Sequence, residues 1–382
     1  MTAASPPRRY FDWAATAPPG AGIAQVPFGN PSSLHAEGRA ARDCLEEARS
    51  RCAAALGLKP ETLYFSSGGT ESNAIVILSL LLRPGAGVCL YSAVEHPSAR
   101  ENCRLLEKMG KTVGVIPVEA DGRVSGAGLE RTLGKYRESR FAAIMAVNNE
   151  TGAVNDMGAL CARIRKKDGP PLHVHCDMVQ AAGKIPVDIA GWDIDSASLS
   201  AHKLGGPRGT GLLYLRKPLE TLYRGGGQEG GIRAGTENVA GALALAACLE
   251  THTRPERLET SLRAARERLD QLTRGLEATG RYSPIPAHRT SAEDERFSPY
   301  ILQAAFDGVP GEVMVRALDQ AGFAVSTGSA CSSGTADRPV LAAMGLGPKP
   351  RLEGIRISQG WSTTPGDIEA LVQAVGEVLR YL

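Results

Sequence analysis

A chain of 382 residues, 43% hydrophobic and 22% charged, can bury a large core and is long enough for two to three domains of about 150 residues each. Its 43 basic and 41 acidic residues leave a net charge of +2 with no long like-charged block, so the sequence makes no case for binding nucleic acid or a membrane surface. No apolar run reaches the ~18 residues of a membrane span, and residues 1–9 are too polar and proline-rich for a secretory signal; a cytoplasmic location is the expectation. The eight cysteines are scattered without CxxC spacing and read as thiols in a reducing compartment, with Cys331 alone set among small residues.

In chain order, Ala41, Cys44, Leu45, Ala48, Cys52 and Leu56 recur at helical spacing, which predicts a helix from Ala36 to Leu56 stopped by Gly57. Short apolar runs then predict strands at Leu63 to Phe65, Val88 to Tyr91, Val113 to Val118, Phe141 to Val147, His173 to Cys176, Ser196 to Leu199 and Leu212 to Leu215. Most alternate with helix-length segments, as in repeated βα units around a mainly parallel sheet. Only Gly205 to Gly211 separates the last two, so a hairpin-like connection and a mixed sheet are expected there. Beyond Pro255, Leu258, Leu262, Ala265, Leu269, Leu272 and Leu276 mark one long amphipathic helix. A strand at Tyr300 to Phe306, a helix at Gly311 to Ala321 and a closing helix from Pro365 to Leu382, capped by Thr364, complete a smaller α+β unit.

Four stretches carry reactive residues where strands run into loops, the edge at which open α/β sheets bind ligands. Ser66-Ser67-Gly68-Gly69-Thr70-Glu71 joins a strand to a helix N-terminus and suits a phosphate, though a plain glycine-rich cap has the same pattern. No Gly-Lys-Ser/Thr follows, so it is not a P-loop. In the run from His173 to Gln180, alternation puts His173, His175, Asp177 and Val179 on one face. Two histidines and an acid could hold zinc, but no further ligand cluster accompanies them, and the expectation is no metal site. Asp177 could instead keep the ring nitrogen of pyridoxal phosphate protonated, with Val179 packed under the ring. Lys203 ends an apolar strand before a glycine loop, where desolvation would lower its pKa toward Schiff-base chemistry; ordinary snorkelling is the alternative. Cys331 lies between Ser326-Thr327-Gly328-Ser329-Ala330 and Ser332-Ser333-Gly334, as a mobile nucleophile or an inert surface thiol.

Taken together these stretches resemble the cysteine desulfurase family of fold-type I pyridoxal-phosphate enzymes, in its nitrogen-fixation and housekeeping iron–sulfur branch. The resemblance runs nearly the whole chain. It includes Tyr10 to Thr16, Asn30 to His35, Gly68 to Asn73, Glu95-His96-Pro97, Val147 to Gly152, Asp177 to Gln180, Ser200 to Lys203, Gly225 to Glu229, Arg233 to Asn238, the Cys331 loop and Ile355 to Ser358. It implies a large α/β domain, residues 16–255, with a mixed, mostly parallel sheet between helices. A smaller α+β domain, residues 256–382, would follow, with residues 1–15 packing against it.

The same resemblance implies site roles. Lys203 would hold pyridoxal 5'-phosphate as a Schiff base, Asp177 would pair with the ring nitrogen, and His96 would stack on the ring and assist proton transfer. Asn149 and Gln180 would face the ring hydroxyl. Gly69, Thr70, Ser200 and His202 would cradle the phosphate, with Thr236 reaching the phosphate of the other subunit in a homodimer. Arg356 would grip the carboxylate of L-cysteine, with Asn30, His35 and Asn149 near the substrate. Cys331 would take the sulfur as a persulfide, leaving alanine, and deliver it to a protein acceptor. Trp13, Gly69, Met178 and Gly230 depart from the usual family pattern without removing a reactive group. An aminotransferase, a selenocysteine lyase or a non-catalytic scaffold relative would share much of this pattern.

Overall fold

The computed structural model describes residues 26–83, 87–328 and 338–382. Helix α1 (Ala36–Leu56) ends as its sequence predicts: Gly57 adopts a left-handed conformation and its N–H returns to the carbonyls of Ala53 and Ala54. There follow β1 (Leu63–Ser66), α2 (Gly69–Leu78), β2 (Val88–Ser92), α3 (Pro97–Lys108), β3 (Val113–Ile116), α4 (Gly126–Lys135), β4 (Ser139–Ala143), α5 (Met157–Arg165), β5 (His173–Asp177), β6 (Ser196–Ser200) and β7 (Gly211–Leu215). The seven strands form one sheet in the order β1-β7-β6-β5-β4-β2-β3. Strand β7 is antiparallel to both β6 and β1, and the pairs among the other strands are parallel. Six strands therefore point their carboxyl ends toward the same edge, and the connection from β6 to β7 turns back as the glycine-rich spacing predicts.

Period-two alternation divides the sheet between two apolar layers. Leu90, Ala142, Val174, Cys176, Ala197, Leu199 and Leu212 belong to one, and Cys89, Tyr91, Phe141, Ala143, Leu213 and Leu215 to the other. On β5 and β6 the second face carries His173, His175, Asp177, Ser196, Ser198 and Ser200 in place of apolar residues. Five of these six are buried, so a polar layer runs through the centre of the sheet.

Helix α6 (Val239–Thr253) leads into the long helix α7 (Pro255–Glu277), which buries Ala265, Leu269, Leu272 and Leu276. A second sheet, in the order β10-β9-β8, is antiparallel throughout: β8 (Tyr282–Ile285), β9 (Ile301–Phe306) and β10 (Ile355–Ser358). It is accompanied by α8 (Gly311–Gln320), α9 (Pro339–Ala343), α10 (Pro348–Glu353) and α11 (Pro365–Tyr381), and has its own apolar cluster around Leu302, Phe306 and Val375. Thr364 and Asp367 form a reciprocal capping box at the start of α11. Strands β8 and β10 were not anticipated; both are four-residue strands, and β8 contains Pro284. Among the described residues no helix is long and apolar enough to cross a membrane.

Candidate active site

A cavity of about 600 Å³ opens at the carboxyl edge of the large sheet. Gly69 and Thr70 reach it from the start of α2, His96 from the loop after β2, and Met145, Asn149 and Glu150 from the chain beyond β4. Asp177, Val179 and Gln180 follow β5; Ser200, His202 and Lys203 follow β6; Arg356 comes from β10. Residues far apart in sequence therefore share one pocket because their strands end at one edge.

The cradle at the head of α2 is built by close backbone approach. Gly211, opposite Ser66 in β1 and Ser200 in β6, lies so near Gly68 that an added Cβ would stand 2.5 Å from the Gly68 Cα. Gly68 is the N-cap of α2 with φ 153° and offers no side-chain cap, so the first N–H groups of the helix face the cavity end without an internal partner. A Cβ at Gly69 would meet the Val179 Cγ2 methyl at 2.5 Å, which gives the departure at this position a steric reason.

The pocket floor is polar and fixed. Asp177 is 5% exposed; its Oδ1 accepts from the Val179 N–H at 3.0 Å and its Oδ2 from the Asn73 amide at 2.8 Å. His96 caps α3, its Nδ1 accepting from the Ser98 N–H at 3.1 Å and lying 2.8 Å from the Ser98 hydroxyl. Burial, aided by the charges of Lys203 and Arg100, holds His96 below the usual histidine range, although Asp177 pulls the other way. Lys203 sits in the short turn after β6, and burial, then the neighbouring Arg356 charge, holds it below the ordinary lysine range. Arg356 is fixed by a 2.8 Å hydrogen bond from its NH1 to the Asn149 carbonyl. The Lys184 ammonium donates to Gln180 Oε1 at 2.7 Å, and burial, Lys203 and Arg356 bring it down to about 8.

Asn30, His35 and Thr236 are not among the residues lining this cavity. The His35 imidazole caps α1 through the Gly38 N–H, the Asn30 side chain accepts from the Ser32 N–H, and Thr236 is exposed in the segment before α6. Cys331 and residues 1–15 lie outside the described residues; Gly328, three positions before Cys331, lines the pocket. His173 and His175 face Ser196 and Asn73, so their ring nitrogens are engaged within the protein. Sequence reasoning passed over Asn73, Glu95, Glu150 and Lys184. The first three stand inside quoted motifs, and burial beside the pocket is their distinguishing feature.

The chain matches the class-V aminotransferase family over residues 10–371. It is 35% identical to the cysteine desulfurase IscS of Dictyoglomus turgidum, across 98% of this chain and 95% of that one. A solved NifS-like protein shares its fold with a TM-score of 0.84 at 31% identity, covering 94% of this chain and 93% of the other. A structure of SspA in complex with cysteine gives a TM-score of 0.72 at 27% identity, covering 87% and 90% respectively. The chain therefore belongs to the class-V aminotransferase family, in its cysteine desulfurase group. That group is pyridoxal-phosphate dependent. The pocket fits the cofactor: a helix N-terminus with small and hydroxyl residues for a phosphate, a buried carboxylate for a ring nitrogen, and a lysine of lowered pKa for the aldehyde.

Proposed function

We propose that this protein removes sulfur from L-cysteine with pyridoxal 5'-phosphate, giving L-alanine and a persulfide on Cys331. The observation that carries the reading is the meeting of Lys203, Asp177, His96 and Arg356 in one cavity bordered by Gly328, at the foot of the Cys331 segment. The bound cofactor supplies an electron sink for negative charge left at the substrate α-carbon. Asp177 maintains the positive ring nitrogen that makes the sink effective. Gly69, Thr70, Ser200 and His202 would hold the phosphate, Val179 would pack under the ring, and Asn149 and Gln180 would face its hydroxyl. Lys203, its ammonium disfavoured by burial and the Arg356 charge, would hold the cofactor aldehyde and serve as base for the α-proton. His96, held below the usual histidine range by burial, would stack on the ring and move a proton. Arg356 would orient the substrate carboxylate; Asn30 and His35, expected near the substrate, lie outside the cavity lining. The Cys331 thiolate attacks the substrate sulfur; the Cβ–S electron pair stays on carbon, is protonated, and leaves as alanine.

The persulfide would pass to a protein acceptor such as an iron–sulfur scaffold or a tRNA-thiolation component, in the cytoplasm. We further propose a homodimer in which Thr236 reaches the partner's cofactor phosphate, and a domain division at 255/256, supported by the two separate sheets and apolar clusters.

The test is mass spectrometry of the protein after brief treatment with cysteine. One added sulfur is expected on the peptide containing Cys331, together with one alanine. Cys331→Ala should keep the cofactor and lose almost all turnover, because a covalent step has lost its nucleophile. Sulfur on a different cysteine, or alanine made by Cys331→Ala at the full rate, would sink the proposal.

A further inference from the structure

Beneath the cavity floor, every hydrogen-bonding position of the Asn73 side chain is filled. The residue is 0% exposed. Its Oδ1 lies 2.8 Å from His175 Nε2 and 2.5 Å from the Ser198 hydroxyl, and its Nδ2 lies 2.8 Å from both Asp177 Oδ2 and the Ser98 hydroxyl.

The direction of these bonds follows from the donors. An amide oxygen only accepts, so His175 must carry its proton on Nε2. Burial in the apolar sheet, with His173 adjacent, keeps His175 neutral, down to about 3, so its Nδ1 is an acceptor. That nitrogen lies 2.8 Å from the Ser196 hydroxyl, which therefore donates to it and accepts from His173 Nε2 at 2.7 Å. The chain of donors runs one way: His173, Ser196, His175, Asn73. There it divides, one Asn73 N–H going to Asp177 and the other to Ser98, whose hydroxyl is left to donate to His96 Nδ1. The polar layer of β5 and β6 thus sets the orientation of one amide, and that amide orients two residues of the pocket.

We propose that Asn73 is the positioning residue that holds the Asp177 carboxylate and, through Ser98, the His96 ring in register, so that the two act as one unit. The inference rests on the roles given above to Asp177 and His96. It concerns geometry beneath the cofactor and not the identity of the amino-acid substrate.

Nitrogen-15 histidine NMR on the intact protein tests the orientation directly. His175 is expected as the neutral Nε2–H tautomer between pH 5 and pH 8, assigned by the loss of its signal in His175→Gln. The Nδ1–H tautomer would require the Asn73 amide to face the other way and would overturn the proposal. Two variants test the consequence. Asn73→Asp keeps an acceptor toward His175 and Ser198 but replaces the two-proton donor with a carboxyl set against Asp177, able to give at most one shared proton; it should raise the dissociation constant for pyridoxal phosphate about 10- to 100-fold, the scale of one hydrogen bond to a charged group. Ser98→Ala severs only the His96 branch, and should lower kcat about 10-fold or more while KM and cofactor affinity stay near the wild-type values. Equal loss of cofactor affinity in both variants, or none in Asn73→Asp, contradicts the division. Should Asn73→Asp fail to fold, the tautomer still decides. Tautomer and cofactor affinity are read without turnover, so a protein that proved inactive on cysteine would fail the functional reading and leave this one standing.

Discussion

Glu95, immediately before His96, has a carboxyl group 1% exposed whose Oε1 accepts from the Ser92 hydroxyl at 2.5 Å and the Met145 N–H at 2.7 Å. Burial, with the nearby Asp177 charge, pushes it up to about 8. A carboxyl raised in the folded state contributes stability that is complete below about pH 4.5 and is lost as pH rises through 8, because the unfolded chain releases the proton first. Glu95→Gln keeps the acceptor and cannot ionise. It should melt near the wild-type temperature at pH 5 and above it at pH 8.5; an equal difference at both values would show that Glu95 does not titrate in this range. For the carboxylate grip proposed for Arg356, the forked geometry of the guanidinium matters. Arg356→Lys is expected to raise KM for cysteine about 10- to 100-fold with a smaller effect on kcat, checked by steady-state kinetics. Lys203, His96 and Asp177, which the structure brings into one cavity, were legible because lysine, histidine and carboxylate at strand ends are unusual where apolar residues are expected. Glu95 and Asn73 were not, because their importance is a matter of burial and partners that no local pattern encodes.

At the scale of elements, the phosphate cradle proposed at the head of α2 depends on two strands and a helix approaching within backbone distance. Gly211→Ala would place a Cβ 2.5 Å from the Gly68 Cα and 2.7 Å from its N and C, against main chain that cannot rotate away. The variant should keep its circular-dichroism spectrum and lose cofactor affinity about 10-fold or more, since phosphate contacts through helix N–H groups tolerate little displacement. Gly69→Ala meets only the Val179 methyl, a side-chain end that can shift, so its effect should be smaller; the reverse order would place the constraint at Val179 instead. Helix and strand limits were legible where pattern and punctuation coincide, as in α1 with Gly57 or α7 after Pro255. Helix α6 lacks such a signal: VAGALALAACLETHT is apolar on most sides, so it shows no stripe and is stabilised by packing against neighbours. Strand β10 was quoted for Arg356, but a four-residue run is too short for its alternation to mark a sheet edge.

At the scale of the whole molecule, one buried guanidinium ties the chain beyond β4 to the start of β9 in the second sheet. Arg289 is 5% exposed and donates through NH1 to the carbonyls of Thr151 at 3.2 Å and Ile301 at 2.6 Å, and through NH2 to that of Ser298 at 2.8 Å. Thr151 follows the Asn149 and Glu150 pocket segment, whereas Ile301 opens β9 of the second sheet. The Ser298 N–H returns to the Gly152 carbonyl and the Val154 N–H to that of Arg296, so the junction is a small patch of backbone pairing fastened at its centre. Burial lowers Arg289 only to about 10, which leaves it charged at neutral pH. Arg289→Met fills much of the same space but takes the guanidinium donors from three carbonyls, of which Ser298 keeps a 3.4 Å bond from the Ile301 N–H. With about 1–3 kcal/mol for each unsatisfied group, partly offset by removing a buried charge, a net loss of about 3 kcal/mol is expected. Arg356 reaches across the same junction to the Asn149 carbonyl, so loosening it should also raise KM for cysteine. Calorimetry of the wild-type protein should show one cooperative transition, and Arg289→Met a lower and broader one in which the second sheet unfolds before the first. A variant that melts as sharply and as late as the wild type would mean that the two sheets are held together elsewhere, with the Arg289 contacts incidental.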